Sequence, residues 1–326
     1  MSKTPMVSVI MITYNHEKYI EQAIEGVLMQ KNNFEVELII SNDASSDNTD
    51  EIAKKIISNY KGKIEIRYYN HIQNKGISKN FSWSVSKSRG RYIAICEGDD
   101  YWIDSYKLHK QVDFLKKNKD YGIVSTLRKN LNQTTGIIKK EKKLKHDIET
   151  CDFKDVILGK KGVIATLTVL VRSSLIYEFI DLYEKNKDEI SILDYNIWIY
   201  VSYYSKIAIL NEYTAVYRIL PNSASHSTCQ WNLRKHYFYG FIFIIEYFNI
   251  SSKDYVKEAL YLRAKLRYLI ASKAKDIKSC RIMDEILLEN KDYLRSILLN
   301  ISNKVPIVIP IIQLIDRYLI CLKFKK

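Results

Sequence analysis

The feature that most constrains the fold of this chain is the alternation of two hydrophobic periods over its first 125 residues. Four apolar runs, at 7–13, 36–41, 64–69 and 92–96, have the length and β-branched composition of strands. Between the first two runs, apolar residues recur at helical spacing, and they are Ile20, Ala23, Ile24, Val27 and Leu28. Nearly continuous apolar strands that alternate with helices predict an α/β fold with a parallel sheet covered on both faces.

Polar side chains follow these strands at the edge where sheets of this kind bind ligands. Thr13-Tyr14-Asn15 follows the first strand, and residues 42–47 follow the second. After the fourth strand, Glu97-Gly98-Asp99-Asp100 places three carboxylates within four residues. Helix capping is an alternative role for Asp47, but it does not explain this acidic cluster. Carboxylates this close repel one another unless a cation or a shifted pKa relieves them.

The acidic cluster suits a hard divalent cation, because Mg²⁺ and Mn²⁺ take oxygen ligands and often bind substrate phosphates as well. The sequence contains no GxGxxG and no GxxxxGK[ST], so neither a dehydrogenase-type dinucleotide site nor a P-loop is supported. A cation that bridges a diphosphate, on an α/β sheet without a P-loop, indicates an enzyme that acts on nucleotide sugars.

Three segments of the chain resemble family 2 glycosyltransferases, which have the GT-A fold. They are VSVIMITYNHEKYIEQAIEGVLMQ at 7–30, ELIISNDASSDNT at 37–49 and NKGISKNFSWSVSKSRGRYIAICEGDDYW at 74–102. A weaker resemblance extends to the loop before Ser227. It implies an α/β GT-A fold, with a mostly parallel central sheet flanked by helices, and the transfer of a sugar from a nucleotide-sugar donor.

The resemblance also implies which residues bind the donor. Positions that contact the nucleoside, its base, the phosphates or the donor sugar in the family are occupied here by Thr13, Tyr14, Glu17, Asp43, Lys79, Asp99 and Asp100. Among them, Asp43 corresponds to the acidic residue that meets the base, and Asp100 to the residue that orients the donor sugar.

A divalent cation, Mn²⁺ or Mg²⁺, and a general base complete the implied site. Glu97-Gly98-Asp99 occupies the position of the family's DxD motif, so Asp99 and Glu97 are expected metal ligands. His226 is a further candidate ligand of the metal or the diphosphate. Asp194 falls where the catalytic base of the family lies, and a carboxylate there would take the proton of the acceptor hydroxyl.

The chain differs from the usual family pattern at three places. Glu97 replaces the first Asp of the DxD motif, which lengthens the side chain by one methylene. Asn42 stands before Asp43 where relatives have a second acidic residue. After Tyr217-Arg218, residues 219–220 are Ile-Leu, whereas many relatives have a His two residues after the Arg.

The resemblance implies an inverting, metal-dependent glycosyltransferase that builds a bacterial surface glycan, such as a capsule or a lipopolysaccharide O-antigen. The expected donor is a UDP-sugar, and the expected acceptor is a saccharide, in particular a lipid-linked one. A sugar nucleotidyltransferase is an alternative, but it would have a Gly-rich loop with Arg and Lys after the first strand. A basic nucleic-acid-binding protein is another, but the basic run 139–145 contains no aromatic residue, so we expect no nucleic-acid partner.

Charge and pattern divide the chain into two parts, which we expect to be a catalytic domain at 1–227 and a helical region at 228–326. The net charge of +14 indicates either acidic partners or a bias in composition, and diphosphates, lipid-linked acceptors and an anionic membrane surface would all be suitable partners. Residues 129–146 are polar and Lys-rich, which predicts an exposed, mobile loop. Residues 304–326 are apolar with lysines at both ends, which predicts either an amphipathic helix packed against the enzyme core or a helix that lies in a membrane interface, and we favour the interface.

The cysteines and the N-terminus bear on the compartment. The five cysteines are scattered and form no CxxC pair, so neither a disulfide framework nor a thiolate zinc site is expected. No secretory signal and no run of about 20 apolar residues is recognisable. We therefore expect a cytoplasmic protein, peripheral on the inner face of the membrane, and the pattern leaves its oligomeric state open.

Overall fold

The computed structural model describes residues 4–161, 164–187, 189–190, 193–221 and 230–304. The chain forms two compact units, residues 1–226 and residues 227–326, and each is described by itself.

The first unit is built on one sheet of ten strands in the described part of the chain. Its strands are β1 Val7–Thr13, β2 Val36–Asn42, β3 Glu65–Asn70, β4 Tyr92–Ile95, β5 Tyr101–Trp102, β6 Tyr121–Asn132, β7 Ile138–Lys140, β8 Ile148–Cys151, β9 Leu170–Arg172 and β10 Lys206–Ile219. They follow the order β3-β2-β1-β4-β9-β6-β10-β5, with β7 paired to β6 and β8 to β10. The first four strands of this order are parallel, whereas β9 runs antiparallel to β4 and β6.

In the described residues of the first unit, seven α-helices connect these strands: α1 Ile20–Leu28, α2 Thr49–Asn59, α3 Ile77–Ser86, α4 Lys107–Lys117, α5 Phe153–Leu158, α6 Ser173–Lys185 and α7 Leu193–Tyr204. The predicted alternation of strands and helices is confirmed. Strands β1, β2 and β4 are almost fully buried, because helices cover both faces of the sheet at its centre.

The segment 129–146 differs from its prediction as a mobile loop. Strand β6 continues to Asn132, and β7 pairs antiparallel with it to form a hairpin, in which Leu131 lies opposite Ile138. Gly136 adopts a positive φ of 71° at the turn, a conformation that glycine takes without strain. Lysines on both strands hide the apolar alternation by which strands are recognised, so the pattern indicated a loop.

The second unit is helical in its described part, as the sequence predicts. Its helices are α8 Gln230–Tyr247, α9 Asp254–Lys273, α10 Ile277–Glu289 and α11 Tyr293–Lys304. They bury a common core that includes Phe238, Tyr268, Met283, Leu287 and Leu299. Within the described residues, no helix has the length and apolar character needed to cross a bilayer.

Candidate active site

The carboxyl ends of β1, β2 and β4 bring three loops to one edge of the sheet. Thr13 at the end of β1 lies beside Asn42 at the end of β2. The Asp43 amide donates to the Thr13 carbonyl at 2.9 Å, and the Gly98 amide donates to the Ile12 carbonyl at 3.0 Å. The predicted donor residues Thr13 and Asp43 and the loop 97–100 are therefore neighbours.

The acidic loop after β4 holds carboxyl groups that are hard to ionise. Burial and the charge of Asp99 raise the pKa of Glu97 to about 7, and the charge of Asp194 adds to this rise. Asp100 is buried, and burial with the charges of Asp99 and Glu97 raises its pKa well above the ordinary value. Raised carboxyl pKa values in a group of neighbouring acidic residues are typical of functional sites that bind a cation or a proton.

The loop fits a divalent cation by one independent observation. Glu97 Oε2 is buried and has no hydrogen-bond partner among the described residues, although Thr166 hydrogen-bonds to the same carboxyl group. A buried carboxylate oxygen without a partner is costly unless a ligand binds it. No group of three or more His, Cys, Asp or Glu side chains in the described residues is arranged to hold a metal. Glu97 and Asp99 thus fit a cation that also takes ligands from substrate and water, while His226 lies outside the described residues.

Gly98 allows the loops after β1 and β4 to approach each other closely. A Cβ on Gly98 would lie 2.5 Å from Thr13 Oγ1 and 2.9 Å from His16 Nδ1, which excludes any side chain. His16 Nδ1 in turn lies 3.1 Å from Thr13 Oγ1, and His16 Nε2 lies 3.9 Å from Asp99. Burial lowers the pKa of His16 against the opposing effect of Asp99.

Arg218 anchors the acidic loop from the end of β10. Its buried guanidinium donates to the Asp99 carbonyl at 2.6 Å and to the Gln22 side chain, and its backbone amide donates to Asp100 Oδ1 at 2.8 Å. The guanidinium carbon lies 4.5 Å from the Tyr101 ring centroid and 5.1 Å from that of Tyr19. Arg218 therefore supplies positive charge within the acidic loop and connects it to α1.

Asp43 forms structural contacts with both carboxylate oxygens. Asp43 Oδ1 accepts from the Lys75 amide at 2.8 Å, and Oδ2 accepts from the Gly76 amide at 2.9 Å. Gly76 precedes α3 with φ of 79°, so Asp43 secures the sharp turn that starts this helix. The base contact predicted for Asp43 would be made in addition to this structural role.

The other predicted donor residues lie around the same edge with different exposure. Thr13 is buried, whereas Tyr14 is 47% exposed. Glu17 accepts from the amide and side chain of Asn48 at 3.1 and 3.0 Å, which ties the first loop to α2. Lys79 is exposed in the first turn of α3.

Asp194 is the second residue of α7, where a helix N-terminus favours a negative side chain. Its effect on the pKa of Glu97 shows that it lies within electrostatic reach of the acidic loop. The structure therefore brings Asp194 and the loop together, although 97 residues separate Asp194 from Glu97 in the sequence.

Sequence reasoning assigned no role to His16, Thr166 or Arg218, which all contact the acidic loop. His16 belongs to the recognised TYNHEKYI segment, so its position near a site could have been noticed. Thr166 and Arg218 reach the loop by tertiary contacts over long sequence separations, for which a single sequence has no signal.

Fold and site together define an α/β enzyme with the GT-A fold and an acidic site at the carboxyl ends of its central strands. The model of Glycosyl transferase family 2 matches residues 8–175, which is half of the chain. The chain belongs to glycosyl transferase family 2.

Curated relatives match about a third of the chain. The chain is 41% identical to the uncharacterized protein Rv1520 of Mycobacterium tuberculosis over 113 residues. These residues make up 35% of this chain and 32% of the relative. It is 32% identical over 111 residues to the putative teichuronic acid biosynthesis glycosyltransferase TuaG of Bacillus subtilis, which covers 34% of this chain and 42% of the relative. The match to Rv1520 thus spans about a third of that relative's length.

Solved structures share the fold over most of the chain. TarS 1-349 of S. aureus in complex with UDP has a TM-score of 0.63 at 16% identity, covering 91% of this chain and 87% of that one. The mannosyltransferase PcManGT from Pyrobaculum calidifontis, in complex with GDP-Man and Mn²⁺, has a TM-score of 0.52 at 12% identity, covering 94% and 88%.

Proposed function

We propose that this glycosyltransferase moves a sugar from a UDP-sugar to a hydroxyl of a saccharide acceptor, with inversion at the anomeric carbon. The observation that carries the proposal is the acidic loop, in which Glu97 Oε2 is buried without a hydrogen-bond partner in the described part of the chain, while Asp194 lies within electrostatic reach. One carboxylate cluster for a cation and one separate carboxylate for a proton are the groups that direct displacement of a nucleoside diphosphate requires.

Asp194 is the base in this proposal. In its ionised form it accepts the proton of the acceptor hydroxyl while the hydroxyl oxygen forms a bond to the anomeric carbon. The bond between that carbon and the diphosphate oxygen breaks on the opposite side, so the configuration inverts. A position at the start of α7 favours the ionised side chain, because the helix N-terminus carries partial positive charge.

Glu97 and Asp99 are the proposed holders of Mn²⁺ or Mg²⁺. When bound, the cation supplies Lewis acidity that stabilises the negative charge of the departing diphosphate. Two hydrogen bonds fix the conformation of the loop. Asp100 accepts from the Arg218 backbone amide, and the Arg218 guanidinium donates to the Asp99 carbonyl. PcManGT, which shares the fold, is bound to Mn²⁺ together with its donor, and this supports a cation here.

A UDP-sugar donor and a surface-glycan acceptor are supported by what is bound to, or named for, similar proteins. TarS binds UDP and UDP-GlcNAc, and TuaG is named for teichuronic acid biosynthesis. We extend this to a capsule, O-antigen or related polysaccharide, built on a lipid-linked acceptor at the inner face of the cytoplasmic membrane.

Residues 305–326, which contain most of the predicted interfacial helix, lie outside the described residues. Association of the second unit with the membrane is supported by helix α11, which buries Leu298 and Leu299 but exposes four other large apolar side chains. Arg295, Ser296 and Ser302 are buried, whereas Ile297 and Ile301 are exposed together with Tyr293 and Leu294. Residues 227–326 contain 18 basic and 9 acidic residues, so this unit carries +9 of the net +14. An apolar helix face on a basic unit is typical of a protein that binds an anionic membrane interface.

A donor panel tests the proposed reaction. The purified full chain is incubated with UDP-, GDP- and dTDP-sugars, with Mn²⁺ or with chelator, and release of the nucleoside diphosphate is measured. We expect release from a UDP-sugar that depends on the cation. Formation of a nucleotide sugar from UTP and a sugar 1-phosphate, with release of pyrophosphate, would instead support a nucleotidyltransferase and overturn the proposal.

A further inference from the structure

The hairpin of the first unit concentrates positive charge on one exposed structure. We name residues 128–145 the basic ribbon; they comprise the end of β6, all of β7 and the segment that follows β7. The ribbon contains seven Lys and Arg residues and one acidic residue, Glu141. The remaining residues of 1–226 contain 26 basic and 27 acidic residues, so the ribbon accounts for the entire positive charge of the first unit.

Most basic residues of the ribbon form no ion pair with an acidic residue in the described part of the chain. Glu141 forms an ion pair with Arg128, whose Nε donates to Glu141 Oε1 at 3.0 Å. Lys143 donates to the Asn211 carbonyl. Among described residues, no ion pair involves the lysines of the ribbon, which are Lys129, Lys139, Lys140, Lys142, Lys143 and Lys145. Lys129 lies directly opposite Lys140 in the ladder, an arrangement that destabilises a hairpin unless an anion is nearby.

The tip of the ribbon is apolar as well as exposed. Ile137 is 55% exposed and Ile138 is 53% exposed, and both precede the Lys139–Lys140 pair. A soluble polyanion would bind the lysines through their charge but would make no favourable contact with the exposed isoleucines. Residues 128–145 include no aromatic side chain, so the ribbon also lacks the stacking surface that single-stranded nucleic acids need. Exposed isoleucines next to lysines fit the boundary between acyl chains and anionic headgroups.

Strand register places the ribbon beside the candidate active site. Leu131 is paired with Arg218 in the parallel ladder of β6 and β10, and Asn132 is paired with Ile219. Arg218 is the residue that donates to the Asp99 carbonyl. The Arg128 guanidinium lies 4.8 Å from the ring centroid of Tyr217, the residue before Arg218. The β6 strand of the ribbon, up to the residues next to its tip, therefore lies beside the part of β10 that holds the acidic loop.

We propose that the basic ribbon is a membrane-docking element, which inserts Ile137 and Ile138 at the surface of an anionic bilayer and places its lysines among the headgroups. Docking through the ribbon turns the acidic edge of the sheet toward the membrane, where a lipid-linked acceptor presents its saccharide. The role of this orientation in catalysis depends on the proposed function, but membrane binding by the ribbon does not.

Vesicle co-sedimentation of the full chain tests the proposal. One vesicle set contains phosphatidylcholine with about a third phosphatidylglycerol, and the other contains phosphatidylcholine alone. Ile137→Ser with Ile138→Ser should weaken partitioning onto the anionic vesicles roughly tenfold or more, because apolar burial is lost. Lys139→Gln with Lys140→Gln and Lys142→Gln should weaken it roughly a hundredfold, since each lysine near an anionic surface contributes about 1 kcal/mol, which is about fivefold in partitioning.

Matched variants at the same positions control for disturbance of the hairpin. Ile137→Leu with Ile138→Leu and the triple Lys→Arg variant keep the apolar and charged character, so they should bind as the natural chain does. Lys61→Gln with Lys63→Gln removes exposed lysines before β3 and should also have little effect. Hydrolysis of a soluble donor should be unchanged in every variant. Because vesicle binding is measured without any reaction, it tests the docking proposal even if the chain has no transferase activity.

Binding to soluble dextran sulfate distinguishes the membrane from an anionic glycan. If the Ile→Ser variant binds anionic vesicles as well as the natural chain while the Lys→Gln variant loses both vesicles and dextran sulfate, the ribbon is a polyanion site and the proposal is overturned. Equal vesicle binding by all variants would overturn it too, because the membrane contact would then lie elsewhere.

Discussion

At the scale of single residues, the acidic loop depends on a buried counter-charge. Arg218 is buried beside Asp100 and Asp99, and burial lowers its pKa against the attraction of these carboxylates. We expect Arg218→Met to destabilise the first unit by about 3 kcal/mol, because removal of one partner leaves buried charge uncompensated. The loss should be larger at pH 8 than at pH 5.5, since protonated carboxyl groups need no counter-charge. Urea unfolding at the two pH values measures both effects.

Arg172→Met is the matched control for this substitution. Arg172 also donates to backbone carbonyls, those of Tyr121, Leu115 and Asn118, but it lies away from the acidic loop. Its loss should cost stability to a similar extent at both pH values. An equal pH dependence in the two variants would contradict the role of Arg218 as counter-charge.

Glu97 should couple cation binding to pH. Its pKa is about 7, mainly through burial, whereas an unfolded Glu titrates near 4.3. Because the folded pKa is raised, the stability linked to this proton is present below about pH 4 and is lost as pH rises through 7. A cation displaces the same proton, so the stabilisation by Mn²⁺ should increase from pH 6 to pH 8. Melting temperatures with and without Mn²⁺ test this.

Glu97→Gln provides the comparison, since glutamine carries no titrating proton. In this variant the stabilisation by Mn²⁺ should be small and nearly independent of pH over that range. A variant that keeps the pH dependence of the natural chain would assign it to another group.

Asp194→Asn should abolish sugar transfer without loss of donor binding. The amide keeps the size of the side chain but cannot accept the proton, and loss of a general base costs about 10²- to 10⁴-fold in rate. Turnover is measured with a competent acceptor, and donor affinity by calorimetry with UDP. Asp181→Asn, an exposed change on α6, is the control and should leave both unchanged. Turnover of Asp194→Asn at the natural rate would remove Asp194 from the mechanism.

At the scale of elements, a buried carboxylate connects the strands at the edge opposite the site. Glu37 on β2 is fully buried and accepts from Ser8, Arg67 and Arg89. Burial raises the pKa of Glu37, but these hydrogen bonds outweigh it and lower the pKa overall. Its contribution to stability is thus present above about pH 4.3 and is lost as pH falls further toward the folded pKa.

We expect Glu37→Gln to destabilise the chain by about 3 kcal/mol at pH 7, because two arginines lose their buried partner. The difference from the natural chain should shrink as pH falls below about 4. Glu65→Gln is the matched control, since Glu65 binds the same Arg89 at 2.7 Å but its side chain is 51% exposed. That change should cost less than about 1 kcal/mol in a denaturant titration. Equal costs for the two substitutions would show that burial of Glu37 is unimportant.

The elements differ in how far the sequence predicts them. Strands β1, β2 and β4 and helix α1 were predictable, because each buries an apolar run or stripe of the expected period. The hairpin of β6 and β7 was not, because its exposed lysines follow no apolar alternation. For the site, Asp99 was predictable from local spacing, whereas Arg218 depends on a contact across 119 positions. Local pattern therefore identifies the loop, and only the fold identifies what holds it.

At the scale of the whole molecule, the positive charge falls into two places. The basic ribbon accounts for it in the first unit, and the helices of the second unit carry the other +9. The remainder of the first unit is almost neutral, and a few of its acidic residues, which are Asp43, Glu97, Asp99 and Asp100, follow the central strands β2 and β4. A uniform bias in composition would not produce this division, so we expect the two basic regions to be binding surfaces.

The apolar side of α11 leads to a prediction that concerns the second unit alone. Leu294→Ser, Ile297→Ser and Ile301→Ser, made together, should lower partitioning onto anionic vesicles while leaving the melting temperature nearly unchanged, because these side chains are exposed. Conversion of the same three residues to Met keeps the apolar surface and should preserve binding. If the serine variant melts much lower, the face is covered within the protein rather than by lipid. If instead it becomes monomeric where the natural chain is a dimer, a second copy covers this face, and light scattering on the same samples distinguishes the cases.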